Sequence, residues 1–453
     1  MKKGIKWLGL VLSASLLVTG LAGCGGGGET TEEPVSSNPD RPYEGVTLKY
    51  ALSESASQGA ETKEIVNMVK EKTGINIEFT IVPNTNAGEV DKTLVSLQAG
   101  DELDIMYAAM PKLKTYYRAG VLTPLDELSS KKGYDMAKVF GENMAKYDDG
   151  KVYGLPAFND VWLTFYNKKI FDEAGVEYPN PANWTWDKYI ETAKKLNNPE
   201  KGIYGSFMLD YANYNYMHAI QNGAEAYKAD GSSNFDDPKF KESLKFFYDL
   251  GNVEKIQPDS KTYASGTYAW NSFVSTGKFG MFVCGGWAAS MLSDLKKYPR
   301  DWECGFAPMP YPEGQQASSL AVAGCYAIPD TSKHKEAAFE AIRCIAENQY
   351  ALGYGRVPAR IDLTEEEKES YITEKLVPMF SFDKISVDEI KNVWFNNNIK
   401  LYPEKIVGTA DTSIEQIWIE EGQLYGQGGK DLDATIKSIK ERSDTAIKEE
   451  KAE

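Results

Sequence analysis

Val46-Thr47-Leu48-Lys49-Tyr50-Ala51-Leu52, Ile75-Asn76-Ile77-Glu78-Phe79-Thr80-Ile81 and Asp104-Ile105-Met106-Tyr107 are three apolar runs whose spacing decides the fold. Val46, Leu48, Tyr50 and Leu52 alternate, as do Ile75, Ile77, Phe79 and Ile81, and a period of two puts alternate side chains on one face of a strand. Between these runs Ile65, Met68, Val69 and Lys72 share a helical face, and Gly74 stops that helix. Val90, Leu94 and Leu97 mark a second helix, ended by Gly100. The order β-α-β-α-β predicts a parallel sheet covered by helices, and ligands of such sheets sit beyond the carboxyl ends of the strands. Ser53, Glu54 and Tyr107 fall there.

N-terminal to this unit, Lys2, Lys3 and Lys6 precede an apolar run from Trp7 through Val18, and Leu21-Ala22-Gly23-Cys24 follows. The run is shorter than the ~20 apolar residues a spanning helix needs. A basic start, a short apolar run and small residues before a cut site make a secretory signal. Leu-Ala-Gly-Cys resembles a bacterial lipobox, in which the Cys thiol takes a diacylglycerol and becomes the new N-terminus. The expectation is a lipoprotein signal peptide over 1–23, lipidation at Cys24 and a flexible Gly/Ser/Glu tether over 24–45. The mature chain then works on the extracellular face of the cytoplasmic membrane.

The chain has 453 residues, enough for two lobes. Its formal charge of −16 becomes −19 once the three signal lysines are removed. No basic patch interrupts this acidity, which argues against nucleic acid as a partner. Aromatics are abundant, with 27 Tyr, 18 Phe and 9 Trp, and several Trp sit in Gly/Asn-rich loops suited to flat apolar ligand faces. Apart from Cys24, the cysteines are Cys284, Cys304, Cys325 and Cys344. In an exported chain they permit two disulfides in three pairings, or serve as small buried hydrophobes. None stands at metal-ligand spacing, and no cofactor motif appears, so neither metal nor cofactor is expected.

Toward the C-terminus, helices are predicted over 168–174, 186–196, 237–250 and 335–347, and strands over 204–209, 279–283, 303–307 and 326–328. Beyond Arg360 the pattern is mostly helical, with charge-rich segments that read as solvated faces.

Landmarks in this order resemble one family. Gly100-Asp101-Glu102-Leu103-Asp104-Ile105, Gly120-Val121-Leu122-Thr123-Pro124-Leu125-Asp126 and Gly150-Lys151-Val152-Tyr153-Gly154-Leu155-Pro156 come first. They are followed by Phe165-Tyr166-Asn167-Lys168, Thr185-Trp186-Asp187 and Gly277-Lys278-Phe279-Gly280-Met281 with Gly285-Gly286-Trp287. Ser332-Lys333-His334-Lys335-Glu336-Ala337-Ala338 and Gly355-Arg356-Val357-Pro358-Ala359-Arg360 complete the series. The chain resembles the extracellular solute-binding proteins of ABC importers, the group that includes maltose- and oligosaccharide-binding lipoproteins. The resemblance implies a two-lobe α/β fold of the periplasmic-binding-protein type (type II), with the ligand in the interlobe cleft. It implies an N-lobe of 46–158 and 313–358, a C-lobe of 159–312 and 359–453, and crossings near Pro156 to Asp160, Pro308 to Pro312 and Pro358 to Arg360. The implied partners are a small-molecule ligand, a carbohydrate by the aromatic content, and ABC permease subunits, with the chain itself a monomer.

The resemblance also nominates ligand contacts. Trp287 would stack on a sugar ring, with Gly285 and Gly286 letting the backbone approach; the alternative is a core Trp that anchors a helix start. Asp160, flanked by Asn159 and Trp162, would take ligand hydroxyls, or else simply shape the hinge loop. Asn213 and Tyr214 lie in a run rich in aromatic and amide side chains. Arg356 reaches a ligand or forms a salt bridge within the N-lobe, and Trp270-Asn271 is an aromatic-amide pair in a loop. The maltose-binding relatives carry a Trp and an acid after the third strand, where this chain has Ala108 and Pro111. Tyr107, Ser53 and Glu54 are the candidates to replace them.

Two rival functions remain. A lipid-anchored glycan hydrolase needs two carboxylates at a set separation, which composition allows, but no HExxH, GxSxG or phosphate-binding loop occurs. A ligand sensor for a membrane kinase would use the same fold. The reading is therefore a binding protein and not an enzyme.

Overall fold

The computed structural model describes residues 36, 38–82, 91–396 and 398–452. The signal segment, Cys24, the tether as far as residue 35, and Val90 of the second expected helix lie outside the described residues. Ten strands are found among those described: β1 (Thr47–Leu52), β2 (Asn76–Ile81), β3 (Ile105–Ala109), β4 (Ala145–Lys146), β5 (Val152–Asn167), β6 (Tyr204–Phe207), β7 (Phe279–Gly285), β8 (Cys304–Pro308), β9 (Ser318–Ala327) and β10 (Lys400–Pro403). They hydrogen-bond in the order β2-β1-β3-β9-β5-β7-β6, with β10 beside β9 and both β4 and β8 beside β5.

The opening unit forms as its spacing requires. Helix α1 (Glu54–Ser57) follows β1, and helix α2 (Ala60–Thr73) buries Ile65, Met68 and Val69. Gly74 ends α2 at φ +78°, where a side chain would be strained. Helix α3 (Lys92–Gln98) leads to β3, and helix α4 (Met110–Arg118) leaves it. The parallel sheet expected from this unit is only the edge of a mixed one. β1 pairs in parallel with β2 and β3, but β3 meets β9 antiparallel.

The centre is β5, a sixteen-residue strand that the sequence reading treated as a crossing followed by a new unit. Residues 155–161 pair with β9, and residues 162–167 pair with β7 and β8. Its side chains are buried nearly throughout, so it shows no alternation, and Pro156 and Asp160 disguise it further. β9 was foreseen only at its end because Ser318 to Gly324 is poor in strand-forming types. β10 interrupts a stretch expected to be helical.

The apolar side chains gather in separate cores. Tyr50, Ile105, Leu155, Phe158, Tyr326 and Ile342 belong to one, with a smaller cluster around Leu97, Met106, Leu113 and Cys325 on the other face of the same strands. Trp162, Phe165, Tyr214, Phe282, Leu320 and Trp418 belong to the largest. The change of core falls between Phe158 and Val161 along β5. Along β9 it falls after Leu320, later than the passage expected at Pro308 to Pro312. Cys284, Cys304, Cys325 and Cys344 are buried free thiols. Burial pushes the Cys344 thiol up to about 11 and the Cys325 thiol up to about 12, so both stay protonated.

Candidate binding cleft

A cleft of about 700 Å³ opens where the carboxyl ends of β1 and β3 meet the second body. On one side lie Ser53, Tyr107, Glu61 from the first turn of α2, and Lys112 and Tyr116 from α4. Opposite stand Trp270 and the segment from Ser290 to Tyr298, and Tyr50, Phe158, Tyr326 and Arg356 close the base. Ser53 stays extended, and its Oγ accepts the Ala56 N–H at 3.3 Å to cap α1. Glu54 is exposed on that helix and does not line the cleft.

The base is aromatic. Tyr107 packs 5.2 Å from Tyr326 and 6.1 Å from Phe158, ring centre to ring centre, and Tyr326 packs 6.0 Å from Tyr50. Tyr107 nevertheless keeps 40% of its surface exposed, and Trp270 across the cleft keeps 41%. Two large rings left half-covered in one concavity offer apolar faces to a ligand. Gly324 makes the packing possible, since a Cβ there would stand 2.3 Å from the Tyr107 hydroxyl and 2.5 Å from the Phe158 ring.

Arg356 is the fixed point of the electrostatics. Its Nε and Nη2 donate to the two oxygens of Glu61 at 3.2 and 3.1 Å, and its Nη1 donates to Asp160 Oδ2 at 2.9 Å. The guanidinium lies 4.3 Å from the Phe158 ring centre, and the Tyr371 hydroxyl holds its backbone carbonyl. Burial works against the Arg356 charge, but Asp160 and Glu61 outweigh it and raise its pKa. Burial pushes the Asp160 carboxyl up to about 6 against the pull of Arg356. Asp160 Oδ1 has no hydrogen-bond partner among the described residues.

Of the nominated residues, Ser53, Tyr107, Trp270 and Arg356 line the cleft, and Asp160 stands just behind Arg356. Trp287 is half-buried beneath Trp270, with ring centres 6.1 Å apart. The paired glycines beside it serve the chain's own packing. A Cβ on Gly285 would sit 2.3 Å from the Trp287 Nε1, and one on Gly286 would sit 3.1 Å from the Val161 carbonyl oxygen.

Three nominated residues are core components instead of cleft lining. The Trp162 Nε1 donates to Glu404 at 2.9 Å, and its ring meets Tyr214 edge-on at 5.1 Å. The Tyr214 hydroxyl donates to the Val283 carbonyl, and Asn213 is buried in the same helix. Asn159 contributes a backbone N–H to the Val357 carbonyl at 2.9 Å. The run Ala212 to Tyr216 thus opens a helix turned into the core, because its large rings bury more surface there, and Tyr211 just before it stays exposed. Glu61 was not foreseen at all. In sequence it is an ordinary acid in a helix's first turn, and only the fold brings it to Arg356.

Comparison with known proteins adds the family context. The model of the bacterial extracellular solute-binding protein family matches residues 53–352. A mannitol-binding protein of Pseudomonas aeruginosa is 24% identical over 350 residues, covering 74% of this chain and 76% of the relative. A maltooligosaccharide ABC transporter solute-binding lipoprotein of Streptococcus pneumoniae is 25% identical over 348 residues, covering 73% of each. An ABC substrate-binding protein from Listeria monocytogenes, in complex with cycloalternan, superposes with a TM-score of 0.72 at 20% identity. That superposition covers 89% of this chain and 98% of the other.

Proposed function

The chain belongs to the bacterial extracellular solute-binding proteins, and on that premise we propose that it captures a carbohydrate in its cleft and delivers it to an ABC permease. The observation that carries the reading is the pair of half-exposed rings, Tyr107 and Trp270, on opposite sides of one concavity. The C–H face of a pyranose is apolar and suits such rings, while Glu61, Ser290 and the remaining N–H groups of Arg356 suit hydroxyls. The relatives named for mannitol and maltooligosaccharide support the class of ligand. The proposed contacts are Tyr107, Trp270, Ser53 and Arg356, with Asp160 and Trp287 supporting Arg356 and Trp270 from behind.

Capture works by closure of two lobes about β5, β9 and the segment Pro358 to Arg360. One lobe takes 46–158 and 313–358, and the other takes 159–312 and 359–453. The ligand favours the closed form only through contacts with both lobes, which Tyr107 and Trp270 supply. The chain acts as a binder without turnover, tethered through Cys24 to the membrane that holds its permease. Cys24→Ser is expected to release the protein from membranes into the medium. Continued sedimentation of this variant with membranes would remove the anchor.

The test of the function is a thermal-shift and tryptophan-fluorescence screen of the soluble form, starting after Cys24, against oligosaccharides, polyols, uronates and peptides. A ligand that binds only the native state raises the melting point by mass action. A saccharide hit is expected, and Trp270→Ala should weaken it by about 1–3 kcal/mol. Unchanged affinity in a folded Trp270→Ala protein would remove that ring from the site. Hits confined to peptides would overturn the carbohydrate assignment, and product accumulating from any sugar would favour the hydrolase.

A further inference from the structure

Arg356 invites the reading that the cleft receives an acid, because a guanidinium in a cleft is a ready receptor for a carboxylate or phosphate. Its surroundings argue otherwise. Three of its five N–H groups are already spent on carboxylates: Nε and one on Nη2 go to Glu61, and one on Nη1 goes to Asp160. One positive charge is thus set against two negative ones, and the bidentate edge that a ligand acid would use is occupied by Glu61. Of the other two cations in the cleft, Lys112 has a carboxylate partner, while the Lys297 ammonium lies 5.3 Å from the Tyr298 ring centre. Lys112 lies 3.1 Å from Asp91, and Lys297 sits one turn from Asp294, whose Oδ1 accepts the Lys297 backbone N–H at 3.0 Å. Three cations and two carboxylates, Glu61 and Asp294, line the cleft, and Asp91 and Asp160 stand behind Lys112 and Arg356 as their partners.

We propose that Glu61 is the specificity-determining residue of this cleft. By saturating Arg356 together with Asp160, it restricts the site to uncharged ligands and excludes the acids built on the same skeleton. The N–H groups that Arg356 retains, one on each Nη, still donate to neutral oxygen acceptors such as hydroxyls. An incoming carboxylate meets Glu61 where its counter-ion should be. Like charges brought together in a partly desolvated site repel, and the acid loses affinity accordingly. The inference deepens the carbohydrate reading and rests on it.

The experiment titrates the wild-type soluble protein and the isosteric Glu61→Gln variant with matched probes. These are the neutral trisaccharides maltotriose, cellotriose, xylotriose and mannotriose, the acidic trigalacturonate, and a tripeptide as free acid and as amide. Circular dichroism confirms that the variant is folded. The wild type is expected to bind a neutral probe at least on the order of 100-fold more tightly than the acidic one. Glu61→Gln, which uncovers the guanidinium, is expected to narrow that ratio by about tenfold or more. The wild-type ratio tests the exclusion of acids even where the variant does not fold, and an unchanged ratio in a folded Glu61→Gln protein overturns its assignment to Glu61. Trigalacturonate bound by the wild type more tightly than every neutral sugar overturns the selectivity and leaves the carbohydrate reading in place. A peptide bound as the amide but on the order of 100-fold more weakly as the free acid, with no sugar bound, removes the carbohydrate reading and leaves the exclusion of acids standing, whereas equal binding of the two forms overturns both. A peptide bound only as the free acid overturns both.

Discussion

Asp383→Ala is expected to lower the unfolding free energy by about 3–5 kcal/mol, the loss typical when one partner of a buried ion pair is removed. Asp383 and Arg300 are each only 1% exposed at the side chain. Both carboxylate oxygens accept from the guanidinium, at 2.6 Å each, and Oδ1 also accepts the Cys304 backbone N–H. The Arg300 plane is packed between Trp302 and Phe382. The alanine variant leaves that cation buried without a counter-charge, and β8 loses an anchor at its first residue. Urea unfolding followed by far-ultraviolet circular dichroism measures the loss. Replacing both partners by apolar residues, as in Arg300→Met with Asp383→Leu, should recover part of it, because no charge is then stranded. A double variant less stable than either single one would show that the backbone bonds, and not the charges, carry the effect.

Gly324→Ala is expected to reduce ligand affinity on the order of 100-fold while costing only about 1–3 kcal/mol of stability. The added Cβ would collide with the Tyr107 hydroxyl at 2.3 Å and the Phe158 ring at 2.5 Å. Tyr107 is half-exposed and can swing away, whereas Phe158 is buried. The strain is therefore relieved mainly by moving Tyr107 into the cleft, where it takes the ligand's place and lifts the ring beneath Arg356. Calorimetric titration with the screened ligand, together with a melting curve, separates the two effects. Full affinity at a lowered melting point would show that the aromatic base is not part of the site.

The opening strands and helices were legible in the sequence because each half-buries one face and so carries its own period. The strand-end rule named Ser53, Glu54 and Tyr107 without any side-chain detail; Ser53 and Tyr107 line the cleft, and Glu54 does not. Trp270 and Arg356 could be picked out because each stands in a Gly- or amide-rich loop. β5 was illegible for the opposite reason: a strand buried on both faces has no period to read. Trp162 and Tyr214 show the limit of residue type as a guide, since a large ring suits a core as well as a ligand. Glu61 shows the limit of local reading. Its partner Arg356 lies 295 residues away, so nothing near it in the sequence announces the pair.

The strand β5 also determines how this molecule can be divided. Its first half is bonded to β9 and its second to β7 and β8. A gene split between the two bodies would therefore cut a strand through its middle. Each fragment would carry a severed central strand and a fresh unpaired edge, the surface most prone to pair with foreign chains and precipitate. A two-part reporter built on this chain must break it elsewhere, at an exposed turn such as Gly314 with φ +73°, which leaves β5 whole in the first fragment. The longest of the described strands thus belongs to both bodies at once.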